Sequence, residues 1–116
     1  MREFTKAERR QMKEILKVGI LRRHAEWQEE LKALLDAPFA EDENEFSRSM
    51  QITDMARKFY KEAMYMEDYY RTSWIESGIV YLLTDGYLSL GDLSGLPEEL
   101  HTYFQSRLKM LEEDMR

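Results

Sequence analysis

The sequence contains no cysteine. That excludes disulfides, thiol nucleophiles and thiolate metal sites, and it fits a reducing compartment, so a cytoplasmic location is expected. Proline occurs twice and glycine five times in 116 residues, and long intervals hold neither. So small a supply of turn formers argues for helices over a many-turned β fold. Long apolar runs are missing too. The longest, residues 79–83, has five residues, against about 20 for a membrane-spanning helix. The opening MREFTKAERR is charged and has no apolar signal core, so neither membrane insertion nor secretion is expected. There is no glycine-rich phosphate loop, no H-E-x-x-H pair and no nucleophile elbow. With no positive mark of an enzyme, the expectation is a non-catalytic protein without a cofactor.

What is present suits one helical domain. The length is near the usual domain size. A hydrophobic content of 43% supports a core, and a charged content of 34% supports long solvated helix faces. The net charge of −6 is unevenly spread. Residues 1–24 carry eight Lys or Arg against three Glu, a local +5, and the remainder carries −11. The chain is electrically polar from one end to the other.

Four helices can be read from caps and periodicity. Thr5 and Glu8 form a capping-box pattern that opens the first helix. Met12, Leu16, Ile20, Trp27, Leu31 and Leu34 give its apolar stripe, and Pro38 ends it at or before Ala37. An acidic connection, residues 36–45 (DAPFAEDENE), follows, anchored by Phe39. The second helix begins near Asn44 to Ser47, with Ile52, Ala56, Phe59, Ala63, Met66 and Tyr70 inward. Ser73 and Glu76 form another capping-box pattern, so a break is expected between Arg71 and Ser73. A short helix from about Trp74 to Leu83, almost without a polar face, is expected to be buried, and Gly86 stops it. Residues 85–97 read as a packed loop with one helical turn after Ser89. Pro97 then opens a fourth helix with Leu100, Tyr103, Phe104, Leu108, Leu111 and Met115 on one stripe.

Several residues are candidates for function. Half of residues 59–74 (FYKEAMYMEDYYRTSW) are aromatic or Met. They point to several angles, which fits either a central helix touched by its own neighbours or a helix with a face left for a partner. The sector formed by Tyr60, Met64, Tyr65 and Tyr69 is the expected interaction surface. Arg2, Lys6, Arg9, Arg10, Lys13 and Lys17 fall in one sector of the first helix and form a basic stripe. It is a candidate contact for nucleic acid phosphates, an anionic membrane surface or an acidic protein surface. The acidic overall charge weighs against nucleic acid and for the acidic connection or the acidic end near Glu112, within or between chains. Trp27, Tyr70 and Trp74 are candidate walls of a small-molecule pocket. His24 reads as a half-buried histidine on the apolar stripe. Glu98 and His101 make an E-x-x-H, but a di-metal bundle site needs a second copy of that motif and two further Glu, so no metal is expected.

The sequence therefore predicts an all-α bundle: two long helices, a shorter buried helix and a C-terminal helix, in up-and-down order. The expected role is a protein–protein interaction module that pairs with itself as a homodimer. A small regulator contacting nucleic acid through the basic helix, and a small-molecule binder, are the alternatives.

Overall fold

The local signals at helix ends act much as their chemistry predicts. In the computed structural model, which describes residues 3–71 and 74–114, Thr5 Oγ1 accepts from the Glu8 amide at 3.1 Å and Glu8 Oε1 accepts from the Thr5 amide at 2.8 Å. This reciprocal cap opens α1 (Lys6–Asp36), which closes at Ala37 before Pro38. Asn44 Oδ1 and Ser47 Oγ accept from each other's amides at 2.9 Å and open α2 (Glu45–Arg71). α3 (Ile75–Thr84) follows. Gly86, at φ 84, supplies the left-handed residue that turns the chain out of it. A 3-10 turn (Leu90–Leu93) is fixed by Asp92, whose Oδ2 accepts from the Ser89 amide at 2.7 Å. Pro97 then serves as the residue before α4 (Glu98–Asp114), its carbonyl accepting from the Leu100 and His101 amides.

The fold is an all-helical bundle of four α-helices, with no strand among the described residues. α1 and α2 run antiparallel, since Lys13 lies over Tyr70 while Trp27 stacks on Phe59. Helices of 31 and 27 residues are roughly 46 and 40 Å long. They stretch the molecule to 56 × 31 × 21 Å with a radius of gyration of 17.8 Å, well above the ~13 Å of a compact chain of this length.

Burial is concentrated at one end of this long hairpin. Seven of the ten residues of α3 are buried, and this helix packs on α1, α2 and α4. The centre of the bundle is thus α3. α2, the candidate central helix in the sequence, buries only Phe59 and Met66. Two glycines let the helices close on α3. A Cβ on Gly19 would lie 2.8 Å from Leu82 Cδ1, and one on Gly78 would lie 2.7 Å from Tyr69 Cβ. Beyond this core the far halves of α1 and α2 bury no residue between Ile20 and Phe59.

Glu76, the carboxylate expected to form a capping box with Ser73, has partners on α4. Trp74 is the residue before α3 and makes no side-chain cap, while Ser73 lies outside the described residues. Glu76 turns inward, where it is 5% exposed. Its Oε1 accepts from the Tyr103 hydroxyl, with Arg107 Nη1 at 3.3 Å. The carboxylate joins α3 to α4 and is satisfied by a charged partner, as burial requires.

Candidate interaction surface

α2 has two seams. The inner one holds the hairpin together. Trp27 stacks on Phe59 with ring centroids 4.6 Å apart, and His24 meets the same ring edge-on at 5.0 Å. His24 is half-buried here, as its place on the apolar stripe implies. Arg23 is the polar centre of this seam. Its Nε and Nη2 donate to the two carboxylate oxygens of Glu62 at 3.0 and 2.9 Å. Nη1 lies 3.1 Å from Glu26, and the guanidinium covers Phe59 at 5.1 Å. The fork geometry and the bond to Glu62 raise its pKa further above the ordinary arginine range. Tyr87 Oη donates to Glu26 at 2.6 Å. Burial, then that bond, push the Tyr87 hydroxyl up to about 12. Arg22 adds a second clamp, donating to both Asp92 oxygens at 2.8 and 3.0 Å and to the Tyr87 carbonyl at 3.1 Å. The paired Arg22, with the Ser89 amide, holds the Asp92 carboxyl down to about 2. None of these long-range partners is marked in the sequence.

The outer seam of α2 has no cover. Phe46 is 75% exposed, Met50 56%, Tyr60 66% and Met64 44%. At 100° per residue these four fall within about 80° of one another and about 140° from Phe59. With Thr53 and Arg57 they occupy positions 46, 50, 53, 57, 60 and 64, alternating steps of four and three as a coiled-coil seam does. Tyr60 and Met64 were predicted for the surface. Phe46 and Met50 were not, although their spacing to Tyr60 carried the signal. Tyr65 is exposed on a different side. Tyr69 is half-buried, with its ring 6.0 Å from that of Tyr81. The predicted sector therefore divides into an outer stripe and a second, separate place.

At that second place Tyr65, Tyr69, Trp74 and Asp68 line a half-open cavity of about 540 Å³. The three residues predicted for a pocket do not share one. Trp27 is in the hairpin seam, Trp74 lines this cavity, and Tyr70 lines a shallower depression of about 220 Å³ with Lys17, Ile20 and Glu67.

Four of the five described residues of the basic stripe, Lys6, Arg9, Arg10 and Lys17, are exposed, while Lys13 is half-buried with Nζ 5.6 Å from the Tyr70 ring centroid. Arg2 lies outside the described residues. The acidic connection sits at the far end of α1 and α2, so it cannot meet the stripe within one chain. His101 Nε2 is 3.0 Å from the Leu90 carbonyl oxygen, and Glu98 is exposed. Among the described residues no group of three His, Asp or Glu could hold a metal ion, and no helix is long and apolar enough to cross a membrane. Compared with known proteins, the chain matches no family model, no curated protein and no solved structure.

Proposed function

We propose that the chain is a non-catalytic interaction module that associates with a second copy of itself through the outer face of α2. The observation that carries this is the uncovered seam of Phe46, Met50, Tyr60 and Met64. Large side chains of this kind bury up to about 150–250 Å² each, so the exposures given above correspond to roughly 500 Å² per chain. Two copies face to face would cover about 1,000 Å², the lower edge of a specific interface, before any flanking residue is counted. Heptad spacing matches such a seam to another helix of the same spacing, and the chain itself supplies one. The cysteine-free sequence supports a cytoplasmic setting for this role.

Solution mass tests the reading. Light scattering or sedimentation at high-micromolar concentration is expected to give twice the 14.0 kDa chain mass. Tyr60→Glu with Met64→Glu should return the monomer with unchanged helix content, since neither side chain belongs to the chain's own core. A wild-type monomer at that concentration refutes the proposal.

The cavity beside Trp74 favours a second reading, a small organic cation as ligand. Aromatic rings and a carboxylate attract a quaternary ammonium by ring quadrupole and charge, about 0.5–1 kcal/mol per ring at exposed sites. With Trp27→Phe in place, Trp74 is the sole tryptophan reporter. Choline is then expected to change its fluorescence saturably, and the uncharged carbon isostere 3,3-dimethylbutan-1-ol should not. Equal responses to both compounds, or to neither, refute this reading.

A further inference from the structure

The outer seam also carries information about how two copies lie on each other. Its centre is polar: Thr53 and Arg57 stand between the apolar pairs Phe46, Met50 and Tyr60, Met64. In a parallel, in-register pair every residue meets its own copy, so Arg57 would face Arg57 in the middle of the seam. In an antiparallel pair centred midway between Thr53 and Arg57, each Arg57 faces the partner's Thr53, with the partner's Asp54 one residue away. The same register sets Phe46 against the partner's Met64 and Met50 against the partner's Tyr60. All four large side chains are then buried, and like charges are not forced together.

The ends of the molecule favour the same direction. The acidic residues Glu41, Asp42, Glu43 and Glu45 lie at the Phe46 end of α2. The basic stripe of α1 lies at the opposite end, beside Glu67 and Tyr70, where Lys17 shares a depression with both. Glu67 borders the outer seam by helical angle, so the stripe and the seam are on adjoining sides. Antiparallel pairing brings the acidic connection of each copy to the basic stripe of the other. Parallel pairing stacks acid on acid and base on base. Within one chain the rest of α1 separates the two groups, by roughly 28 Å from Lys17 to Asp36 and roughly 45 Å from Lys6.

We infer that the partner of this surface is a second copy lying antiparallel along α2, with a two-fold axis at the level of residue 55 and with the acidic connection of each chain against the basic stripe of the other. The inference rests on the self-association proposed above.

Because the chain has no cysteine, single thiols can be placed at will. Met50→Cys and Tyr60→Cys replace exposed side chains outside the core. In the antiparallel register a residue at position 50 is about 15 Å along the helix axis from its own copy but opposite the partner's position 60. Each variant alone, under mild oxidation, is expected to stay uncrosslinked. The equimolar mixture, left to exchange subunits first, should give the mixed disulfide dimer in at least tenfold higher yield. Mass and circular dichroism of the reduced variants are read alongside. A dimer in which Met50→Cys links to itself overturns the antiparallel direction while leaving self-association standing. A dimer that gives no link in any combination overturns the register. A monomer throughout overturns the self-association reading beneath it.

Discussion

Gly78→Ala adds one methyl group at the point where α3 meets both long helices. The new Cβ would stand 2.7 Å from Tyr69 Cβ and 3.0 Å from Leu16 Cδ1. Carbon atoms in ordinary contact are about 3.5–4.0 Å apart, so α2 and α3 would have to separate by about 1 Å. The obstructing Tyr69 atom is a Cβ fixed to its backbone, and no rotamer change moves it aside. Overpacking of this kind costs about 1–3 kcal/mol. Alanine recovers about 1 kcal/mol of helix propensity. The clash against a backbone-fixed atom belongs in the upper part of its range, so the net loss should be about 1–2 kcal/mol. For a chain slightly above 100 residues that lowers the melting temperature by about 5–10 °C. The assay is urea unfolding followed by circular dichroism at one fixed chain concentration, because association itself adds stability by mass action. Gly95→Ala is the control: nothing lies within 4 Å of its Cβ, so it should stay within about 0.5 kcal/mol of wild type. Gly86→Ala separates backbone strain from clash, since its Cβ is also unobstructed but its φ is 84, and it should lose about 1 kcal/mol. A Gly78→Ala protein as stable as Gly95→Ala would refute the close approach of α2 to α3.

Three further outcomes follow from the polar clamps. Glu76→Ala leaves the Tyr103 hydroxyl and Arg107 without their shared acceptor and should cost about 1–3 kcal/mol in urea unfolding. Arg23→Lys keeps the charge but cannot form the two-pronged bond to Glu62, and should lower urea stability by about 1–2 kcal/mol, with the α1–α2 seam loosened in hydrogen exchange. Asp92 has its pKa depressed to about 2 by Arg22 and the Ser89 amide. Its contribution is therefore complete above about pH 4 and is lost as pH falls from about 4 to 2. The gap in melting temperature between wild type and Asp92→Asn should accordingly close over that range, and a constant gap would count against the clamp.

The parts of the fold legible in the sequence are those whose partners are a few residues away. Thr5 with Glu8, the start of α2 near Asn44 and the stop at Gly86 needed only local chemistry. The buried character of α3 was legible because it has almost no polar face. Its central position was not, since residues 59–74 offered more aromatic surface and looked equally able to sit among neighbours. Glu76 shows the limit most clearly. Three residues after a serine it has the pattern of a capping carboxylate, yet its partners Tyr103 and Arg107 are 27 and 31 positions further on. Arg23 is likewise an ordinary basic residue until Glu62 arrives from 39 positions away. The outer seam was partly legible. Tyr60 and Met64 were found by their composition, while Phe46 and Met50 lay outside the aromatic-rich stretch and were connected to it only by their spacing.

The basic stripe has two candidate users, and one perturbation separates them. If the acidic connection of a second copy occupies the stripe, neutralising that connection should weaken self-association at low salt only. Glu41→Gln with Asp42→Asn is the appropriate pair, because Glu43 Oε1 accepts from the Ala40 amide at 2.9 Å and shapes the loop. Exposed ion pairs contribute about 0.2–1 kcal/mol each. Two lost charges per chain, counted at both symmetric contacts, remove about 0.8–4 kcal/mol and should raise the dimer dissociation constant by about fourfold to several hundredfold at about 50 mM salt. At about 500 mM salt, where the screening length falls to about 4–5 Å, the difference from wild type should largely vanish. If nucleic acid is the true user, the same substitutions leave the dimer constant unchanged at both salt concentrations. Duplex or single-stranded DNA would instead bind the wild type at low salt with a steep salt dependence, and Arg9→Glu with Lys13→Glu would abolish it. Equal dimerisation of wild type and the neutralised chain at low salt would therefore refute the charge-aligned antiparallel pair, whatever the apolar seam does.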